Sequence, residues 1–120
     1  MMFKQDYIIR QIESLSSLLA KLLFNKDSTT YDLPSQEAYG QSDLLYKQLE
    51  ALLAEGKINE AEDTLFKELD GGNLRYFELA LDFYGKLNGF DDQYLAAHNY
   101  SREEIEEGLK AIAERFGLPL

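Results

Sequence analysis

The chain has 120 residues and a mass of 13.8 kDa, with 45% apolar and 28% charged residues. That is the range of one soluble globular domain and lies outside disordered and fibrous compositions. It holds no cysteine and one histidine, His98, which excludes disulfides, thiolate nucleophiles, zinc fingers, iron–sulfur clusters and any two-histidine metal site within one chain.

The net charge of −10 is unevenly spread. Residues 1–30 carry 4 basic and 3 acidic groups, residues 31–50 carry 1 and 4, and residues 51–120 carry 7 and 15. An acidic body repels phosphate backbones and anionic lipid, so neither nucleic acid nor a membrane is expected as a partner. No run approaches the ~20 apolar residues of a spanning helix. Asp6 and Glu13 interrupt the opening apolar stretch, which does not read as a signal peptide. A cytoplasmic location is expected, and the sequon Asn99-Tyr100-Ser101 reads as chance.

Residues 4–24 are predicted to form an amphipathic helix. Ile8, Ile12, Leu15, Leu19 and Leu22 alternate spacings of four and three, and Ile9, Leu18 and Leu23 widen the stripe. Residues 25–41 break the pattern with Asp27-Ser28-Thr29-Thr30, Leu33-Pro34-Ser35 and Gly40, a loop longer than most. A second helix is expected from about Ser42, its N-cap, to Glu55, with Leu45, Leu49, Leu52 and Leu53 inward and Gly56 as its left-handed stop. A third runs from about Asn59, read as its cap, to Leu69, with Ile58, Ala61, Leu65 and Leu69 inward. The two make a tight antiparallel hairpin.

The fourth helix, about Asn73 to Leu87, is apolar almost all round and must be central. Its polar positions, Arg75, Glu78, Asp82 and Lys86, are read as one narrow exposed stripe. A short helix is expected over Asp91–Ala97. The last helix opens with a capping box, Ser101 and Glu104, carries Ile105, Leu109, Ile112 and Phe116 inward, and is closed by Gly117 and Pro119. No segment alternates with period two, so the fold class is all-α, with about five main helices in one domain over 1–120.

Gly56-Lys57-Ile58-Asn59-Glu60-Ala61, with Leu65 and Leu69, resembles the turn and second helix of a tetratricopeptide repeat over residues 42–73. Leu49, Leu52 and Asn73 depart from that pattern, where the family has Gly, Tyr and Pro. The resemblance implies degenerate antiparallel helical hairpins preceded by the N-terminal helix. The opening Phe3-Lys4-Gln5-Asp6-Tyr7-Ile8 and the overall layout also resemble a family of short, uncharacterised Gram-positive bacterial proteins, which implies no catalytic residues.

Candidate chemistry is sparse. His98 beside Asp91 and Asp92 reads as a rim histidine, and the pairs Asp91-Asp92, Glu103-Glu104 and Glu106-Glu107 read as solvated faces rather than cation ligands. No nucleotide loop and no nucleophile–base pair is present, so no catalytic, cofactor or metal residue is assigned. Seven aromatics fall in residues 76–100, of which Tyr94 and Tyr100, beside loops, are the candidate binding residues. The expectation is a non-catalytic interaction protein or self-associating helical scaffold, with a homodimer formed through Ile8, Ile12, Leu15, Leu19 and Leu22. The alternative is a small-molecule binder or enzyme with a site in the 76–100 aromatic window near His98.

Overall fold

The structure is a computed structural model that describes residues 4–26 and 30–118, the side chains of residues 4 and 5 excepted. The turn residues Asp27, Ser28 and Thr29, the opening Phe3 and the closing Pro119 lie outside the described residues. Among the described residues six α-helices follow in order: α1 (Lys4–Phe24), α2 (Gln41–Ala54), α3 (Ile58–Glu68), α4 (Leu74–Asn88), α5 (Asp92–Ala97) and α6 (Arg102–Arg115). A single 3-10 turn over Gln36–Ala38 precedes α2, and no strand occurs among the described residues.

Local chemistry explains most boundaries. Gly56 at φ 76° lets the Gly56 and Lys57 amides reach back to the Leu53 and Leu52 carbonyls at 3.0 and 2.9 Å, the αL stop that reverses the chain into α3. A side chain at Gly56 would also meet His98, whose Nε2 would lie 2.5 Å from a Cβ there. Asn73 caps α4 by accepting the Arg75 amide at 2.9 Å, and Asp91 caps α5 through the Tyr94 amide at 2.7 Å. Ser101 and Glu104 form the expected capping box of α6.

Two expected caps differ. Gly40, not Ser42, precedes α2, and its amide donates to Asp43 Oδ2 at 2.8 Å, which leaves Ser42 buried in the first turn. Asn59 lies inside α3 rather than capping it. Its amide donates to the Asn99 carbonyl at 3.1 Å and ties the end of α5 to the start of α3.

α4 is the centre, packed against α1, α2 and α6. Phe77, Leu81 and Tyr84 are buried as its composition demands. Phe77 meets Phe24 of α1 and, edge-on at 4.8 Å between ring centroids, Phe116. α2 and α3 pack together as the expected hairpin, with Ala61 fully buried. The C-terminus of α4 is closed by a buried cation: the Arg102 guanidinium donates to the Asn88 carbonyl at 2.9 Å, the Phe90 carbonyl at 2.6 Å and Asp92 Oδ1 at 2.9 Å. It satisfies the last carbonyl of the helix, which the helix end leaves without an intrahelical partner, and a carbonyl of the turn that follows.

α1 lies against α6 and α4 of the same polypeptide. Ile8, Ile12 and Leu19 are buried there, Leu15 is half-buried and Leu22 is 57% exposed. The stripe expected to pair two copies is therefore largely used within one molecule. An apolar stripe reports that a face is covered and is silent on whether the cover is intramolecular or a second copy. The apolar residues α1 leaves outside are Tyr7, Leu18 and Leu22, spaced eleven and four apart and hence on one side of the helix.

Candidate functional site

The polar stripe of α4 is not an exposed face. Asp82 is only 9% exposed, and Arg75, Glu78 and Lys86 are half-buried, because α2 and the segment 30–39 cover them. The reason is electrostatic: charges on an otherwise apolar helix need partners before they can be covered, and the covering elements supply them for Arg75, Asp82 and Lys86, while Glu78 pairs with Arg75 on α4 itself.

Tyr31 is the keystone of this seam. Its ring is stacked on Tyr46 of α2 at 4.7 Å, while the Arg75 guanidinium lies over it at 4.0 Å from the ring centroid. Its hydroxyl donates to Asp43 Oδ1 at 2.6 Å and lies 2.7 Å from Ser42 Oγ. Its backbone amide donates to Asp82 Oδ2 at 3.0 Å. Arg75 Nη2 donates both to the Asp32 carbonyl at 3.0 Å and to Asp43 Oδ1 at 2.9 Å. A carboxylate of α4 thus grips one backbone amide, and a guanidinium of α4 grips the next backbone carbonyl.

The titrations follow from this packing. Burial, and then donation to the Asp43 carboxylate, push the Tyr31 phenol up to about 12. Burial alone would raise Asp43, but the hydrogen bonds from Tyr31, Gly40 and Arg75 together outweigh it and hold the carboxyl below its ordinary value. Further along α4, Lys86 Nζ lies 3.0 Å from Asp82 Oδ1, donates to the Tyr46 hydroxyl at 2.8 Å and stands over that ring at 4.5 Å. Burial lowers this ammonium, and the Tyr46 and Asp82 contacts more than reverse the effect. Beyond Lys86 the furrow between α2 and α4 opens into a cleft of about 400 Å³ lined by Glu50, Leu53, Ala54, Lys86, Gly89 and Phe90.

A second polar cluster sits where α3, α4 and α6 meet. Glu62 Oε2 accepts the Tyr84 hydroxyl at 2.6 Å and the Tyr100 hydroxyl at 2.8 Å. Burial raises Glu62 above its ordinary value despite these two donors, with Glu104 and Asp63 adding repulsion. Burial and the neighbouring carboxylate raise both phenols as well. Tyr84 is seated directly on Gly108 of α6.

The two aromatics singled out by sequence separate. Tyr100 is buried, with its hydroxyl engaged by Glu62; Tyr94 is half-buried between Phe90 and His98, at 4.7 and 4.2 Å between ring centroids. His98 Nδ1 lies 2.7 Å from the Tyr94 carbonyl. Among the described residues no group of three or more His, Asp or Glu side chains is placed to hold a metal ion. The seam residues Tyr31, Ser42, Asp43, Tyr46 and Asp82 are not legible as a site from sequence. Their one signal is the mixed charge along Arg75, Glu78, Asp82 and Lys86, two carboxylates flanked by two cations, a stripe that carries both signs and so invites partners.

A family model described as "Family of unknown function (DUF6483)" matches residues 2–117. The chain belongs to the DUF6483 family. No curated protein and no solved structure matches it. Membership of DUF6483 thus spans all six helices and both polar clusters without attaching an activity to either. Among the described residues no helix is long and apolar enough to cross a membrane.

Proposed function

We propose that this DUF6483 member is a non-catalytic interaction protein, cytoplasmic as its lack of cysteine suggests, whose α2/α4 furrow holds a non-helical polypeptide segment. The observation that carries the reading is the occupied part of the furrow. There residues 31 and 32 of the protein itself are gripped through their backbone by Asp82 and Arg75, a mode that any polypeptide can satisfy. The furrow then continues as an open cleft with an apolar floor. The tetratricopeptide-like reading supports the same face, with α2–α3 as one hairpin, α4 opening the next, and Gly56, Ile58, Ala61 and Leu65 in the repeat's positions. The resemblance to short Gram-positive bacterial proteins rests on the opening residues and the layout.

The test is a random-peptide selection against the purified protein, followed by amide chemical-shift mapping. Shifts clustered on Glu50, Leu53, Lys86 and Phe90, abolished by Lys86→Glu, are expected. Shifts centred on Tyr94 and His98 instead would favour the small-molecule or enzyme reading.

Self-association is proposed for the outer side of α1, where Tyr7, Leu18 and Leu22 are 57, 48 and 57% exposed on the near-neutral part of the sequence. Light scattering at micromolar concentration should give a dimer mass for the wild type and a monomer mass for Leu18→Asp with Leu22→Asp. A monomeric wild type overturns it.

A further inference from the structure

The slot around Tyr31 has the properties of a ligand site that already holds its ligand. One wall is the Tyr46 ring, the other is the Arg75 guanidinium, and the floor offers Ser42 Oγ and the Asp43 carboxylate to a phenolic hydroxyl. Nothing in this arrangement depends on the occupant being covalently part of the same molecule. The contacts are to a phenol, one backbone amide and one backbone carbonyl.

Apart from the Tyr31 contacts and the Arg75 bond to the Asp32 carbonyl, the strap that supplies the phenol is lightly held. Tyr31 is 3% exposed, but Thr30, Asp32, Pro34, Ser35, Gln36, Glu37 and Ala38 are all exposed, and only Leu33 and Tyr39 are half-buried. A segment with one buried anchor and mostly solvated backbone opens at a small fraction of the cost of global unfolding. The strap passes from Asp82 at its residue 31 amide to Arg75 at its residue 32 carbonyl, so it runs opposite to α4.

We infer that the Tyr31 slot is a tyrosine-docking site for a partner polypeptide, with the 30–33 strap as its resident competitor. This rests on the interaction reading of the furrow. The partner segment is extended and carries a tyrosine for the slot. It binds by displacing the strap.

The experiment compares wild type with Tyr31→Ala, first checked for native circular dichroism and cooperative melting. The probe is a synthetic peptide of residues 30–38, in which Tyr31 is the one tyrosine, alongside the same peptide with alanine in its place, and free p-cresol. Tyr31→Ala should bind the tyrosine peptide about tenfold or more tighter than wild type does, since the wild-type slot is free only in the minor, open fraction of molecules. The alanine peptide should not bind, and p-cresol should raise the melting temperature of the variant alone.

A folded variant that binds neither probe overturns the inference. Should the variant not fold, hydrogen exchange on wild type decides. The Tyr31 amide is expected to exchange by local opening, faster than the α4 core amides, and faster still with excess tyrosine peptide. Exchange only through global unfolding overturns the inference. A tyrosine-free selected peptide that binds the Phe90 cleft while the Tyr31 amide stays protected would likewise overturn it, and would leave the interaction reading standing.

Discussion

Gly108→Ala separates tertiary packing from helix propensity by the sign of its effect. In an exposed helix interior the change gains about 1 kcal/mol, because alanine is the better helix former and glycine loses more backbone entropy on folding. Here a Cβ would overlap Oη and Cζ of Tyr84 and stand 2.6 Å from its Cε1. The ring has nowhere to retreat: Tyr84 is fully buried and its hydroxyl is held by Glu62 at 2.6 Å. Overpacking costs about 1–3 kcal/mol. Pulling the hydroxyl from the carboxylate removes a charge-assisted bond worth about 1.5–3 kcal/mol. After the propensity gain the net loss should be about 2–4 kcal/mol, read from the urea midpoint at unchanged m-value, and a fall in melting temperature of roughly 10 °C. Gly85→Ala is the matched control. It lies within α4, a Cβ there meets nothing within 4 Å, and it should stabilise by about 0.5–1 kcal/mol. If Gly108→Ala also stabilises, the seating of Tyr84 on α6 is wrong.

Phe77→Ala should cost about 3–5 kcal/mol in chemical denaturation, since its fully buried ring joins Phe24 and Phe116; a loss under about 1 kcal/mol would place α4 at the surface. Ala61→Leu should cost about 1–3 kcal/mol by overpacking, and an unchanged melt would undercut the close approach of α2 and α3. Asp43 is held below its ordinary 3.8, so its contribution is present above that pH and is lost as pH falls through the folded value; Asp43→Asn should flatten the acid limb of a stability–pH curve. Tyr31, raised from 10.0 to about 12, contributes fully below pH 10, and that contribution is lost between pH 10 and 12; Tyr31→Phe should remove this part of the alkaline loss, and an identical alkaline limb would refute it.

The sequence by itself determined the elements. Helical periodicity, the αL stop at Gly56 and the Ser101–Glu104 box are local devices, readable because their partners lie within a few residues. It also determined that α4 is central, since apolar residues on nearly every side demand neighbours on several sides. Tertiary structure decided which neighbours. α1 buries Ile8, Ile12 and Leu19 against α4 and α6, and the 25–41 loop returns Tyr31 onto Asp82, fifty-one residues on. Likewise the hydroxyls of Tyr84 and Tyr100 converge on Glu62 from twenty-two and thirty-eight residues away. A polar stripe reads as solvated until something covers it. Whether it is covered depends on charges far along the sequence, whose spacing there carries no trace of their distance in space.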